Sequence, residues 1–265
     1  MRTALGGLAS ELSAFFLPAA CLGCGEHLPL ERSSELVCIG CRSRLKEPSW
    51  PRCERCGFPR GSGDPSGLAS SSSSSLSLGV PPSVDCLECR DWGAELVSAR
   101  SAVELRPPAE ELVYGLKYGG WAGSAALLGG RMVWYAIPPD LASGPYLVVP
   151  VPTTAKRLRS RGYNQAQLLA EAVSGGVGRP LLEALERRPG GPTQVGLHPA
   201  QRRANVKHAF VARNDALVGL FGARVLLVDD VLTTGSTAVA AARALVQAGT
   251  AQVFLTTFAR ACPYD

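Results

Sequence analysis

Eight of the nine cysteines in this 265-residue chain fall into four Cys-x-x-Cys pairs, and all eight lie before residue 90. The pairs are Cys21/Cys24, Cys38/Cys41, Cys53/Cys56 and Cys86/Cys89, with Cys262 left over. A Cys-x-x-Cys knuckle brings two thiolates to one ion from a tight turn, and two knuckles complete a tetrahedral Zn2+ site. Four pairs therefore offer ligands for up to two structural zinc ions. Gly25 and Gly57 each follow the second cysteine of a pair, where a knuckle needs a positive φ or a close amide approach to sulfur. Sequential pairing joins the first pair to the second and the third to the fourth, while a crossed, RING-like pairing uses the same ligands. A redox dithiol is normally one pair beside a βαβ unit rather than four in tandem. Four thiolates per ion leave no open position, so the metal serves folding and partner contact rather than catalysis.

The rest of the chain differs sharply in composition. No cysteine lies between Cys89 and Cys262, so a border is expected near Asp91 to Ser98, with a module over 1–92 and a second domain over 93–265. Inside the module, "GSGDPSGLASSSSSSLSLGVPPS" (Gly61 to Ser83) cannot bury enough apolar surface to offset its ordering entropy, and a flexible insert over 61–83 is expected. Ahead of the first pair, Leu5, Leu8, Leu12, Phe15 and Phe16 recur at helical spacing, which predicts an amphipathic helix. That segment superficially resembles a signal peptide, but Glu11 interrupts its apolar stretch and Pro18 replaces an aliphatic residue that a lipoprotein signal would want. No apolar run is long enough to span a bilayer. A cytoplasmic protein without membrane insertion is therefore expected. The net charge of +5 gives a modest preference for anionic partners such as phosphates or nucleic acid.

The second part reads as alternating strands and helices. "YLVVPVP" (Tyr146 to Pro152), "ARVLLVDD" (Ala223 to Asp230) and "QVFLTTFA" (Gln252 to Ala259) are continuous apolar strands. "NQAQLLAEAV" (Asn164 to Val173) has helical periodicity with Asn164 as its cap, and "STAVAAARALVQAG" is an alanine-rich helix closed by Gly249. Continuous rather than alternating apolar strands, separated by helices, predict an α/β fold with a mostly parallel sheet covered on both faces.

Two adjacent acids, Asp229 and Asp230, end an aliphatic strand, and Thr233, Thr234, Gly235, Ser236 and Thr237 lead on into a helix. A phospho-receiver would carry such acids early in a domain, not where only one helix and one strand remain. The hydroxyl-rich turn instead gathers amide donors and the positive end of a helix dipole, which is a phosphate cradle with Gly235 for close approach. Carboxylates beside a phosphate cup suit a ligand with both a phosphate and vicinal hydroxyls, such as a ribose 5-phosphate. Asp229 and Asp230 would then accept from the 2- and 3-hydroxyls, directly or through Mg2+.

Residues 225–237, "VLLVDDVLTTGST", resemble the phosphoribosyl pyrophosphate (PRPP) signature of type I phosphoribosyltransferases. With the eight-cysteine ribbon, "GLKYGG" (Gly115 to Gly120), "VPVPTTAKRLRSRGYNQAQLLA" (Val149 to Ala170) and "TQVGLHPAQRRANVKHAF" (Thr193 to Phe210), the chain more narrowly resembles the ComF family of competence-associated proteins. The serine-rich insert departs from that family's compact ribbon. The resemblance implies a type I phosphoribosyltransferase-like sheet flanked by helices, with a small N-terminal zinc-ribbon module. It implies a pyrophosphate loop after Pro152, with Thr153 and Thr154 amides and the cations Lys156, Arg157 and Arg161, whose forked or pointed donors suit phosphate oxygens. Lys117 offers a further phosphate contact. It also implies a loop that closes over PRPP, in which Arg202 and Asn205 match the family's spaced Arg and Asn, whereas His198 and His208 read as loop surface. The implied chemistry is Mg2+-dependent displacement of pyrophosphate from ribose C1 by a nitrogen nucleophile, with charge stabilised by metal and arginine. The alternative is a non-enzymatic adaptor for DNA uptake, in which PRPP is sensed and single-stranded DNA or a helicase-like protein is the partner. No stretch reads as a nucleobase pocket, so the acceptor stays open.

Overall fold

The structure, a computed structural model, describes residues 20–29, 35–60, 86–188 and 209–262. The helix expected over residues 5–16, the insert over 61–83 and the expected closing loop with His198, Arg202, Asn205 and His208 lie outside the described residues. In chain order the first elements are α1 (Ile39–Arg44), β1 (Ser98–Glu104), α2 (Ala109–Tyr118), α3 (Ala125–Tyr135), β2 (Leu147–Pro150), α4 (Ala155–Arg161) and α5 (Gln165–Val177). They are followed by β3 (Leu185–Arg187), β4 (Phe210–Ala212), α6 (Leu217–Leu220), β5 (Arg224–Leu232), α7 (Ser236–Gln247) and β6 (Gln252–Arg260).

Four strands pair in the order β1-β6-β5-β2, every pair parallel, and β3 and β4 form a separate antiparallel pair. The expected parallel sheet flanked by helices is what forms. Because successive strand residues point to opposite faces, the unbroken apolar run of β5 feeds two cores. Leu226 and Val228 join Leu112 and Leu116 of α2, Leu128 and Met132 of α3 and Leu169 of α5. Val225 and Leu227 join Leu185, Phe210 and the alanine face of α7. Ala238, Ala240, Ala241, Ala242 and Ala244 of α7 are buried, and their small side chains let this helix lie close on the sheet.

The cysteine-rich residues pack on both of these cores instead of standing apart. Leu28, Val37 and Leu45 belong to the first core, and Cys53, Cys56, Cys86, Cys89 and Trp92 to the second. They also cover the free side of edge strand β1. Ala99 N–H donates to Arg55 O (2.7 Å) and Glu104 N–H to Lys46 O (2.8 Å), which satisfies amides that an open edge would leave exposed.

Several expectations are adjusted in detail. β5 does not stop at the acidic pair but continues to Leu232. Asn164 does precede α5, yet its side chain makes no cap; its Nδ2 donates to Val151 O at 3.1 Å and ties the helix start to the exit of β2. Gly249 does close α7, with φ +95°. β1, α2 and α3 were not foreseen.

Candidate functional site

β2 and β5 are parallel neighbours, with Pro150 opposite Val228, so both chains leave the sheet at the same edge. Ligands of open α/β sheets bind at this carboxyl edge. Here a cleft of about 640 Å3 opens between α2, the β2–α4 connection, β3 and the end of β5. Its walls include Asp229, Asp230, Thr233, Thr237, Thr153, Arg157, Arg161 and Lys117. Eight of the residues singled out in the sequence therefore meet around one space.

The two acids have different surroundings, because neighbours on a strand face opposite ways. Asp230, 4% exposed, lies on the α2 side, where Lys117 Nζ stands 3.1 Å from its Oδ2. Asp229 lies on the other side and accepts the Asp230 backbone N–H at 2.8 Å. Burial, followed by the Asp230 charge, pushes Asp229 up to about 7, while Lys117 and Arg187 pull the other way. The repulsion expected of adjacent carboxylates is thus relieved in two ways: one acid takes an ammonium partner and the other holds a proton more tightly.

The remaining residues sort by contact. Arg161 Nη1 donates to Gln165 Oε1 at 2.8 Å, and its guanidinium lies 4.7 Å from the Tyr118 ring centroid. Thr153 Oγ1 is buried at the cleft with no hydrogen-bond partner among the described residues. Thr154 caps α4 by accepting the Arg157 N–H (3.2 Å), and Lys156 is exposed on that helix. Thr234 and Ser236 share a hydroxyl hydrogen bond of 2.9 Å. Gly235 has φ +79°, and a Cβ there would lie 2.6 Å from the indole of Trp92. The space on the Cβ side of Gly235 is therefore taken by tryptophan.

Arg187, at the end of β3, was missed. It lines the cleft, lies 5.1 Å from the Phe210 ring centroid, and burial followed by Arg157 lowers its pKa. The only signal for it was a basic pair, Arg187-Arg188, ending a short strand before a polar loop. Glu110, Tyr114, Lys117 and Tyr118 were likewise not seen as one surface, although their spacing puts them on one face of α2 and all four line the cleft. Gly115 lets the Trp121 ring fold onto that helix, because a Cβ there would lie 1.7 Å from Trp121.

The cysteines gather as Cys21/Cys24/Cys38/Cys41 and Cys53/Cys56/Cys86/Cys89, with all ligand sulfurs of a group within 4.8 Å of one another. Pairing is sequential, and the crossed arrangement is excluded. A tetrahedron of thiolates about 2.3 Å from zinc has edges of about 3.8 Å. The Sγ–Sγ distances of 3.9 Å (Cys24–Cys38), 3.8 Å (Cys53–Cys89) and 3.7 Å (Cys56–Cys86) match that size. The two knuckles repeat one geometry: Gly25 N–H donates to Cys21 O (2.8 Å) with φ +76°, and Gly57 N–H to Cys53 O (2.9 Å) with φ +68°. Burial acts to raise the Cys21 thiol, yet amides of Cys38, Cys24 and Gly23 bring it down to about 6, whereas Cys41 of the same group is pushed up, first by burial. All four cysteines of the second group are buried, even though the insert separates its two pairs.

Residues 12–72 match the family model of the double zinc ribbon domain. Along the whole chain, Competence protein F of Haemophilus influenzae is 28% identical over 254 residues, covering 93% of this chain and 99% of its own. The resemblance to the ComF family extends over most of the chain. DNA utilization protein YhgH of Salmonella typhi is 27% identical over 89% of this chain and 95% of its own length. Competence protein ComFC of Bacillus subtilis is 24% identical over 84% of this chain and 82% of its own. Among solved structures, glutamine PRPP amidotransferase from B. subtilis, complexed with ADP and GMP, aligns at TM-score 0.36 and 21% identity. That alignment covers 51% of this chain and 26% of the other, so the matched half of this chain spans about a quarter of that longer protein. No helix among the described residues is long and apolar enough to cross a membrane.

Proposed function

We propose that the cleft is a type I phosphoribosyltransferase-like PRPP site, with Thr233 and Thr237 at the 5-phosphate and the β2–α4 connection at the diphosphate. One observation carries the reading: the carboxyl ends of β2 and β5, with α2 and β3, bring the two aspartates, hydroxyls and four cations around one 640 Å3 space. Arg157, Arg161 and Arg187 surround the diphosphate half, and the unpartnered Thr153 hydroxyl offers a further contact. Asp229 is the acid available to ribose hydroxyls or to Mg2+. Its raised proton affinity comes from burial and then from the neighbouring Asp230 charge, and a divalent cation between the two acids would offset that repulsion. Asp230, already paired to Lys117, holds the strand end in place. When bound, Mg2+ supplies charge that offsets the departing pyrophosphate. The acceptor enters beside Glu110, Tyr114 and Tyr118 of α2, opposite the phosphates.

Calorimetric titration with PRPP and Mg2+ tests the site. Saturable binding in the wild type, weakened about tenfold or more in Asp229→Asn, is the expected result. Lack of saturable binding in the wild type refutes it. Pyrophosphate release on adding candidate bases then separates an enzyme from a sensor. The second reading is an adaptor in DNA handling, favoured by the names of the relatives, competence and DNA utilization proteins. Under it PRPP binds without pyrophosphate release, and labelled single-stranded DNA is retained by the full chain.

A further inference from the structure

The phosphate loop is joined to the second cysteine group by a short chain of contacts. Trp92 follows the last knuckle, and its N–H donates to Cys89 O at 3.0 Å. Its side chain is 7% exposed and packs among Cys53, Cys56, Cys86 and Cys89. Across the sequence, its indole Nε1–H donates to Thr234 O at 3.1 Å, within the loop read above as a phosphate cradle. The same ring lies over Gly235, where a Cβ would fall 2.6 Å from the indole carbons. One side chain therefore sets both the direction of a loop carbonyl and the space behind the next residue.

Arg55 fastens the other end. It sits inside the third knuckle, between Cys53 and Cys56. Its Nη1 donates to Cys89 O (3.4 Å) and Trp92 O (3.3 Å), and its Nη2 to Gly93 O (2.7 Å) and Leu96 O (3.0 Å). A guanidinium with all its donors in a fixed fork can hold several carbonyls at once, which an ammonium cannot do in a fixed geometry. Folding of the cysteine group thus orients Arg55, Arg55 orients the 89–96 turn, and that turn delivers Trp92 to the loop. A tryptophan is suited to the last step, since indole is a donor only and is matched to a carbonyl.

We propose that Trp92 is a positioning residue for the 233–237 loop, and that it holds this loop only while the second cysteine group and Arg55 keep it in place. This rests on the reading of the loop as a phosphate cradle for its functional meaning, but not for its geometry. Loop amides aimed at a phosphate lose affinity when their carbonyls are free to turn, so the ribbon module sets the affinity of a site that it does not line.

Amide hydrogen exchange on the ligand-free full chain tests the clamp. Losing one hydrogen bond is expected to speed exchange within 233–237 about fivefold in Trp92→Phe. Arg55→Met should do the same, although its hydrogen bonds end on carbonyls of residues 89–96. The increase should be confined to these segments; a merely structural loss would spread it across the sheet. Unchanged loop exchange in folded Trp92→Phe overturns the clamp, and unchanged loop exchange in folded Arg55→Met overturns the link to the cysteine group. The wild type gives a check that needs no variant. The Trp92 indole proton should exchange far more slowly than those of Trp50 and Trp134, which are 71% and 84% exposed; equal rates overturn the proposal. PRPP binding with Mg2+ should weaken about fivefold in Trp92→Phe. If the wild type binds no PRPP while the exchange changes appear, the clamp stands and the ligand reading falls.

Discussion

Lys117→Met offers the most direct test of how the acidic strand end is built. Asp230 is a carboxylate whose side chain is 6% exposed, with Lys117 Nζ 3.1 Å away and itself 22% exposed. At that distance and an effective dielectric constant of ~20, the attraction is about 5 kcal/mol. Part of it only offsets the cost of desolvating the two charges. Removing the ammonium leaves the carboxylate's share of that cost in place without the attraction, so a loss of about 3 kcal/mol is expected, at the lower end for buried pairs because Lys117 retains some solvent. Methionine keeps the aliphatic length, which separates charge from packing. Urea unfolding at neutral pH should show a lower midpoint at unchanged slope. Lys117→Met/Asp230→Asn should recover most of the loss, about 2 kcal/mol, since no charge is then orphaned, and Asp230→Asn alone closes the cycle. A single variant within about 0.5 kcal/mol of wild type, or a double variant no better than Lys117→Met, would refute the account of Asp230 as the paired acid.

Other outcomes follow from the same geometry. Asp229, raised from 3.8 to about 7, contributes stability that is full below about pH 4 and lost as pH rises through 7. Asp229→Asn should therefore gain on the metal-free wild type between those values, by about 4 kcal/mol at most for a shift of about three units; a gap that stays level across that range speaks against the shift. Gly115→Ala, which in an open helix would stabilise by about 0.5–1 kcal/mol, should instead destabilise, because the new Cβ lies 1.7 Å from the Trp121 ring; thermal melting reads the sign. Metal analysis of the full chain should give two zinc ions, with one lost in Cys56→Ser, and a wild-type content well below two counts against complete sites. Arg187→Met should weaken PRPP binding about tenfold, and unchanged affinity would remove Arg187 from the diphosphate wall.

How much was legible beforehand depends on how local each signal is. Periodicity over β5 and α7 announced a buried parallel strand and its helix, since side-chain alternation and helical repeat are properties of the nearby chain. β1 and α2 gave weaker signals, with serine and arginine in the strand and a proline-flanked helix start. The cysteine spacing announced knuckles, because two thiolates three residues apart meet through one turn whatever surrounds them. Asp229 and Asp230 looked alike, because in sequence they are alike. Their difference comes from the pleat, which turns one towards Lys117 on α2 and the other towards Arg187 on β3.

The sequence alone thus determined β2, β5, β6, the helices α5 and α7 and the four cysteine knuckles, all of which arise from residues a few positions apart. Tertiary structure decided which knuckles share a group, which acid acquires a cation, and what stands behind Gly235. Each of those depends on residues distant in the chain being brought to one face of the sheet, and only the register of β1, β6, β5 and β2 brings them there.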